Sequence, residues 1–315
     1  MNDITQKLKL LDEITSKPLP KDIPQGDMPT DKVDIVDEVV IKANILLPYL
    51  TRKITPILSS KDKIVVGIAG GSGVGKTCIA SIFSYYFNQV GIGAYTLSGD
   101  NYPNRIPEYN DAERRHLYID AGIKALSTTA YYTNETREIL KKLIDEEKDD
   151  NPELEKQYPF FSVYHEGGQA GLKNYLGTEK EINFEAISEV LRLFKEGAPS
   201  LNLKRMGDTE SSIYYDQLDF SNIHILFVEW THALNESLKN VDIRILLNST
   251  PEETLERRIK RNRNKGADSP FISTVLSLEQ RKLHSQAMNA DLIMTSSNQM
   301  IDYLTYKEIM KELDD

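Results

Sequence analysis

A glycine-rich octapeptide near residue 70 has the residue types of a phosphate-binding loop. Residues 70–77 read Gly-Gly-Ser-Gly-Val-Gly-Lys-Thr and match the pattern G-x-x-x-x-G-K-[ST] in full. In this pattern glycines let backbone N–H groups surround a phosphate, the lysine reaches the β- and γ-phosphates, and the hydroxyl after it binds Mg²⁺. We therefore predict a nucleotide site formed by Gly70, Gly71, Ser72, Gly73, Val74, Gly75, Lys76, Thr77 and Cys78.

A carboxylate after a second apolar run could complete a magnesium site. Ile223–Val228 is a continuous apolar run, and Glu229 follows it directly. A carboxylate at the carboxyl end of such a strand can hold a Mg²⁺-bound water molecule. We therefore predict that Thr77 and Glu229 organise Mg²⁺, with a polar cap on the strand end as the alternative role of Glu229.

Two groups of basic residues could bind phosphate or another anion. Arg258 and Arg261 share one face of a predicted helix, and Arg263 follows at its exit. Arginines can spread charge over phosphoryl oxygens, although a solvated helix face is the alternative. Lys204 and Arg205 lie shortly before the second apolar run, where they could bind an anion or form a plain surface pair.

These motifs lie at the ends of apolar runs that alternate with helical patterns. The runs typical of buried strands are Ile64–Ala69, Gly93–Leu97, Ile223–Val228, Val241–Leu247 and Leu292–Thr295. Helical periodicity lies at Lys76–Gln89, Phe184–Lys195, Pro251–Arg263 and Leu278–Asn289. Strands alternating with helices predict an α/β fold of three layers, α/β/α, with helices on both faces of a parallel sheet.

The N-terminal residues form a separate segment of the sequence. Residues 1–30 are polar and rich in proline, which predicts a loosely ordered lead-in. The following apolar residues, up to Leu58, have a spacing that predicts one or two amphipathic helices. We therefore assign residues 1–60 to a helical N-terminal extension.

A long segment interrupts the alternation of strands and helices. The core that carries the phosphate-binding loop is predicted to comprise residues 61–109 and 222–315, with residues 110–221 inserted between them. A structureless loop of that length is uncommon in a compact domain, so we predict a largely helical cap on the substrate side. Within it, the glycine cluster Glu166–Gly171 predicts a turn.

Composition sets the class of protein. The 315 residues carry a formal net charge of −10 and 40% hydrophobic residues, as expected of a globular protein. The acidic balance argues against nucleic acid as a partner, and no apolar run is long enough for a membrane span or a signal peptide. The single cysteine fits a reducing compartment. We predict a cytoplasmic protein with a small-molecule partner, and a homodimer is left open.

Four segments carry a resemblance to a known family. They are the loop Gly70–Thr77, the sequence Ser-Gly-Asp-Asn-Tyr-Pro-Asn at 98–104, the sequence Val-Glu-Trp-Thr-His at 228–232, and the basic segment 258–266. The third is similar to V-E-G-L-H and the fourth to the lid pattern R-I-x-R-D-x-x-x-R-G, with Asn262 where aspartate is usual. The chain resembles the phosphoribulokinase/uridine kinase family of P-loop kinases, including type I pantothenate kinase.

The resemblance implies a reaction and a set of site residues. It implies ATP- and Mg²⁺-dependent transfer of the γ-phosphate to a hydroxyl of a small metabolite such as a sugar, sugar phosphate, nucleoside or hydroxy acid. It places the general base on Asp100, phosphoryl stabilisation on Lys76, Arg258 and Arg261, and a further nucleotide contact on Arg263. The implied acceptor residues are Asn101, Tyr102, Arg105, Lys204, Arg205, Glu229 and His232.

The role implied for Asp100 agrees with its expected position. A carboxylate after the strand Gly93–Leu97 lies at the carboxyl edge of a parallel sheet, beside the phosphate-binding loop. It could orient a hydroxyl there and accept its proton during transfer. An aspartate in Ser-Gly-Asp-Asn could otherwise serve only to form a turn.

Two other functions are compatible with the motifs. Gly99-Asp100-Asn101 also resembles the G-D-N of adenylylsulfate kinases, although the long separation of Lys76 from Glu229 is unlike those compact enzymes. A nucleotide-dependent regulator would use the insertion as a docking surface. The presence of Lys76, Thr77, Asp100 and Glu229 together argues against that second alternative.

Overall fold

The computed structural model describes residues 3–20, 22–29, 35–261 and 269–313. The helices are α1 (Asp3–Leu8), α2 (Leu11–Thr15), α3 (Asp37–Leu58), α4 (Lys76–Gln89), α5 (Pro107–Ser127), α6 (Asn134–Asp145), α7 (Leu154–Gln157), α8 (Phe160–Lys173), α9 (Phe184–Lys195), α10 (Pro251–Arg261), α11 (Pro270–Gln286) and α12 (Tyr303–Ile309). The strands are β1 (Ile64–Gly70), β2 (Gly93–Ser98), β3 (Ser200–Arg205), β4 (Tyr214–Asp219), β5 (Ile223–Glu229), β6 (Ile243–Leu247), β7 (Leu292–Met294) and β8 (Met300–Ile301).

One mostly parallel sheet forms the centre of the fold. Its strand order is β2-β5-β1-β6-β7-β8, with β1, β2, β5, β6 and β7 paired in parallel. The last strand, β8, is antiparallel to β7. All residues of β1 are buried, as a strand covered on both faces requires. The predicted three-layer α/β/α fold is confirmed, with an antiparallel edge strand that the sequence did not predict.

Alternating residues of β1 face two separate hydrophobic layers. Ile64, Val66 and Ile68 pack into a cluster with α3 and α4. Val65 and Ala69 point the other way, into a cluster with α9 and α12. This alternation follows from the two-residue period of a strand, and it fixes the carboxyl ends of the strands between the two helical layers.

The N-terminal segment is more ordered than its polarity predicts. It contains α1 and α2, and the side chains of Leu8, Leu11 and Ile23 are buried in the layer with α3 and α4. The prediction of a loosely ordered lead-in is therefore wrong for these residues. A few apolar side chains tie the segment to the core, which its average composition conceals. The predicted helical pattern up to Leu58 is one continuous helix, α3.

The segment between the core strands contains α5 to α9 and a hairpin. Strands β3 and β4 pair in antiparallel register, from Ser200 opposite Asp219 to Arg205 opposite Tyr214. The sequence did not predict this hairpin, because β4 exposes much of its length to solvent and lacks an apolar run. The division of the chain at residues 110 and 221 stays a prediction.

The glycine cluster predicted as a turn lies inside α8. Cβ atoms added at Gly167 and Gly171 would lie 2.5 Å from the Cβ atoms of Ala125 and Ala121, both on α5. The glycines therefore allow α5 and α8 to approach closely. The turn prediction is wrong, because small residues on one face of a helix also serve close helix packing.

One helix boundary near the basic segment differs from the prediction. Helix α10 is described from Pro251 to Arg261, and the predicted end at Arg263 lies outside the described residues. Helix α11 begins at Pro270 instead of Leu278. The Ser269 hydroxyl accepts a hydrogen bond from the Ile272 backbone N–H at 3.2 Å, and Pro270 occupies the first turn. Serine followed by proline is a helix start signal that periodicity alone passed over. Within the described ranges, no helix combines the length and apolarity needed to cross a membrane.

Candidate active site

The phosphate-binding loop connects β1 to α4 and presents an open helix end. Gly75 precedes α4 with a φ of 100°, in the left-handed region that favours glycine. Among the described residues, no side chain caps this helix terminus. Its first backbone N–H groups are therefore available to a phosphate, with the helix dipole in the favourable direction. Lys76 is the first residue of α4, and its Nζ donates to the Gly71 carbonyl at 3.1 Å.

The predicted magnesium residues are in direct contact. The Thr77 hydroxyl donates to one carboxylate oxygen of Glu229 at 3.1 Å, and the Ser98 hydroxyl donates to the other at 2.5 Å. All three side chains are buried: Glu229 and Ser98 end β5 and β2, and Thr77 lies in the first turn of α4. A hydroxyl and a carboxylate on adjacent elements are oxygen donors of the kind that Mg²⁺ requires. The residues present therefore fit this ion.

Asp100 lies in a short turn directly after β2. Ser98 is paired with Glu229 in the sheet, so Asp100 lies two residues beyond the point that pairs with this predicted magnesium residue of the neighbouring strand. Its side chain is exposed. The preceding Gly99 is required by packing, because a Cβ atom added there would collide with the buried indole ring of Trp230. The turn is thus fixed against the core while its carboxylate faces solvent.

Glu279 on α11 enters the same electrostatic neighbourhood. Burial raises the pKa of Glu279; Arg114 and Lys76 lower it, whereas Glu181 and Asp100 raise it further. The carboxylate therefore experiences the charges of both the phosphate-binding lysine and the predicted base. Sequence reasoning missed Glu279, since a single glutamate within a helical pattern carries no local signal of a site.

Arg114 on α5 organises a second group of residues that the sequence did not identify. Its Nη2 lies 2.7 Å from a Glu181 carboxylate oxygen and 3.7 Å from one of Glu279. Asn110 also donates to Glu181, at 3.1 Å, and the Gly177 N–H donates to it at 2.5 Å. Burial alone would raise the pKa of Glu181, but Arg114 and these hydrogen bonds lower it. Helix α5 thereby contributes a charged side chain, Arg114, that reaches both Glu181 and Glu279.

Several predicted acceptor residues contact other parts of the protein. Asn101 is fully buried and accepts from the Met206 N–H at 2.9 Å. Tyr102 is also buried, at 2% exposure. The Lys204 Nζ donates to the Pro103 carbonyl at 3.2 Å, and burial lowers its pKa. These residues lie around the Asp100 turn, and their contact with an acceptor stays a prediction.

The two predicted arginines on the acceptor side also have protein partners. Arg205 is 4% exposed, and its guanidinium contacts Asp27 at 2.7 Å and Asp216 at 2.9 Å. Arg105 is half-buried and donates to the Tyr175 hydroxyl at 3.1 Å. Arg205 is therefore already neutralised by two carboxylates within the protein.

Of the three arginines predicted at the phosphates, only Arg258 has a side chain that the structure describes. The Arg258 side chain lies against the phosphate-binding loop, since a Cβ atom added at Gly73 would lie 3.0 Å from Arg258 Cγ. Its Nη2 donates to the Pro251 carbonyl at 2.8 Å. Arg261 is the last residue of α10, and Arg263 lies outside the described residues. Cys78, also predicted at the nucleotide, has its side chain buried in the core.

His232 is buried behind the Glu181 group. Its ring packs against Trp230 at a centroid distance of 5.1 Å. Burial lowers the pKa of His232 to about 4; Glu181 opposes this, whereas Lys282, Arg114 and Lys76 contribute to it. The imidazole is therefore neutral at neutral pH. A neutral ring in this position does not attract an anionic acceptor.

The acid stability of the protein tests this assignment. The unfolded chain, with a histidine pKa of about 6.5, binds more protons than the folded protein between about pH 6.5 and pH 4. The neutral His232 therefore contributes to the free energy of unfolding above about pH 6.5. This contribution is lost as the pH falls toward 4, by about 3 kcal/mol in total. In denaturant unfolding, His232→Asn should lose less stability between about pH 7 and pH 4.5 than the wild type. Equal losses in the two proteins would contradict a neutral, buried His232.

The chain is similar in sequence to a bifunctional enzyme that includes a kinase. No family model matches the chain. Over 236 residues, which are 75% of the chain, the sequence is 39% identical to the bifunctional α-galactosidase/sucrose kinase AgaSK of Mediterraneibacter gnavus. The match covers 20% of that protein, so this chain spans about a fifth of the length of its relative.

Three solved structures are similar to this fold at low sequence identity. A candidate fructose transport system kinase of Silicibacter sp. TM1040 is 10% identical, with 78% of this chain and 94% of that chain covered and a TM-score of 0.47. A candidate uridine kinase of Bacillus stearothermophilus is 15% identical, with 81% and 98% covered and a TM-score of 0.45. The D-glycerate 3-kinase of Cryptococcus neoformans is 10% identical, with 85% and 99% covered and a TM-score of 0.44.

Proposed function

We propose that this chain is a kinase of the phosphoribulokinase/uridine kinase family that transfers the γ-phosphate of ATP to a hydroxyl of a neutral sugar. The observation that carries the proposal is the arrangement at three adjacent strand ends. The phosphate-binding loop follows β1, the Glu229 carboxylate ends β5 in contact with Thr77, and Asp100 follows β2. This is the set of groups that phosphoryl transfer uses, since catalysis there consists mainly of positioning and charge stabilisation.

Each group has a distinct role in the proposed transfer. Backbone N–H groups of the loop hold the phosphates, and Lys76 stabilises negative charge on the β- and γ-phosphates. Thr77 and Glu229 hold Mg²⁺, which when bound neutralises phosphate charge. The Asp100 carboxylate orients the acceptor hydroxyl and takes its proton as the oxygen bonds to phosphorus. Arg258 and Arg261 spread charge over the transferred group.

The internal ion pairs of two arginines, Arg114 and Arg205, favour a neutral acceptor. Arg114 is paired with Glu181, and Arg205 is paired with both Asp27 and Asp216. These guanidinium groups are therefore neutralised inside the protein and offer little attraction to a carboxylate or phosphate on the acceptor. The carboxylates of Asp100 and Glu279 are instead acceptors for hydroxyl hydrogens. A polyhydroxylated neutral molecule suits this arrangement, and the relative at 39% identity is named as a sucrose kinase.

An acceptor panel tests the proposal. ADP release would be measured with ATP and Mg²⁺ in the presence of sucrose, neutral monosaccharides, sugar phosphates, nucleosides, glycerate or adenylylsulfate, and products would be identified by mass spectrometry. We expect ADP release that depends on a neutral sugar, with a product that gains one phosphoryl group. Turnover with a charged acceptor but no neutral sugar would contradict the acceptor class. ATP hydrolysis that no acceptor stimulates would contradict the kinase assignment itself.

A further inference from the structure

A segment before the core crosses the candidate site. Residues 22–29 pass the carboxyl ends of β2 and β5, and Ile23 anchors them in the core at 5% exposure. A Cβ atom added at Gly26 would lie 3.2 Å from Thr77 Cγ2 and 3.8 Å from Glu229 Oε1. This segment therefore lies directly against the predicted metal residues, and no motif in the sequence predicts that position.

The next residue, Asp27, binds both ends of the turn that carries Asp100. One carboxylate oxygen accepts from the Ser98 backbone N–H at 2.7 Å and from Asn101 Nδ2 at 3.1 Å. The other accepts from the Tyr95 hydroxyl at 3.1 Å and from Arg205 Nη1 at 2.7 Å. The Asp27 side chain is only 6% exposed. Within the part of the chain that the structure describes, its hydrogen bonds go to groups on β2, β3 or the turn.

We propose that Asp27 is a positioning residue that fixes the Ser98–Asn101 turn and thereby the direction in which Asp100 faces the acceptor. Asp27 does not touch substrate; it acts through the backbone of Ser98 and the side chain of Asn101. The inference rests on the proposed function, in which Asp100 is the base. A base displaced by about 1 Å from its working position can lose about 100-fold in rate, so holding this turn has a large kinetic consequence.

The chemistry of the contacts requires a carboxylate at position 27. Each oxygen receives two donors, and donors to a charged oxygen form stronger hydrogen bonds than neutral pairs. An asparagine of the same shape has one oxygen, which the charged guanidinium of Arg205 would hold, so its NH₂ group would face the Ser98 N–H and Asn101 Nδ2 and the turn would lose both hydrogen bonds. Burial raises the pKa of Asp27 to about 6 despite the opposing charge of Arg205, so the carboxylate is ionised at about pH 8.

Two variants separate a positioning role from general support of the fold. Asp27→Asn keeps the shape and disturbs the donors, whereas Tyr95→Phe removes one donor from the oxygen that does not bind the turn. Asp22→Asn is a matched control, because Asp22 is exposed in the same segment. For each protein, kcat, the KM values for ATP and acceptor, the melting temperature and deuterium exchange of the peptide covering 97–104 would be measured at about pH 8.

We expect Asp27→Asn to lower kcat by about 100-fold with little change in the KM for ATP, and to speed exchange at Ser98–Asn101. Tyr95→Phe and Asp22→Asn should keep kcat and the exchange rate at Ser98–Asn101 close to wild type, even if Tyr95→Phe melts at a lower temperature. The proposal is overturned if Asp27→Asn retains wild-type kcat, or if Tyr95→Phe reproduces its loss in full. The exchange measurement needs no turnover: if no acceptor is phosphorylated, the kinase proposal fails, and unchanged exchange in Asp27→Asn would separately refute the positioning role.

Discussion

Replacing Asp100 by asparagine is expected to lower kcat about 1000-fold while leaving ATP affinity within about twofold. General bases in enzymes contribute about 100- to 10,000-fold, and an asparagine side chain accepts no proton at neutral pH. Asparagine has nearly the same shape and is well suited to turns, so the Ser98–Asn101 turn should persist. Steady-state kinetics with the acceptor found in the panel, together with ATP titration by calorimetry, would measure both effects.

A matched substitution controls for the change in charge. Asp120→Asn removes the same charge from an exposed position on α5, and its kcat should equal that of the wild type. An Asp100→Asn enzyme that turns over at the wild-type rate would remove Asp100 from the role of base. In that event Glu279, which lies in the same electrostatic neighbourhood, would be the next carboxylate to test.

The second large effect is expected at the phosphate-binding lysine. Lys76→Met retains the length of the side chain but removes its charge, and we expect kcat to fall about 100- to 1000-fold because charge on the transferred group is no longer stabilised. ATP affinity should fall by about 10- to 100-fold, which corresponds to the loss of a charge-assisted hydrogen bond. Kinetics and ATP titration measure the two losses separately.

Lys61→Met serves as the control for this second substitution, because Lys61 is exposed after α3 and away from the loop. It should bind ATP and turn over as the wild type does. If Lys76→Met also kept wild-type ATP affinity and kcat, the loop would not be the site of phosphoryl transfer. A melting temperature close to that of the wild type would exclude unfolding as the cause of any loss.

The parts of the fold that the sequence predicts are those whose signals are local. The loop at 70–77 is specified by consecutive residues, and the strand β1 by an uninterrupted apolar run buried on both faces. Helices α4 and α9 were predicted with the bounds they have, because each shows its own periodicity. Glu229 is predicted to share a magnesium site with Thr77 because it is a carboxylate that directly follows an apolar strand, and the two side chains are in contact.

Two sequence patterns led to wrong predictions, because each is compatible with two different structures. Glycines close together indicate a turn when they supply unusual backbone angles, but in α8 they supply room for α5. The polarity of residues 1–30 indicates weak order on average, yet Leu8, Leu11 and Ile23 are enough to hold the segment on the core. In each case, which structure forms depends on packing against an element that is distant in sequence.

The sequence by itself determined the parallel strands, the phosphate-binding loop and the carboxylates that follow β2 and end β5, because each depends on adjacent residues or on a repeating period. Only the tertiary structure decided what surrounds Asp100. Asp27, Arg114 and Glu279 come from three separate segments, and the carboxylate partners of Arg205 turn a predicted anion contact into an internal ion pair. The energy of such an ion pair depends on the distance between the two groups and on their burial. The residues next to each group in the sequence do not indicate either quantity.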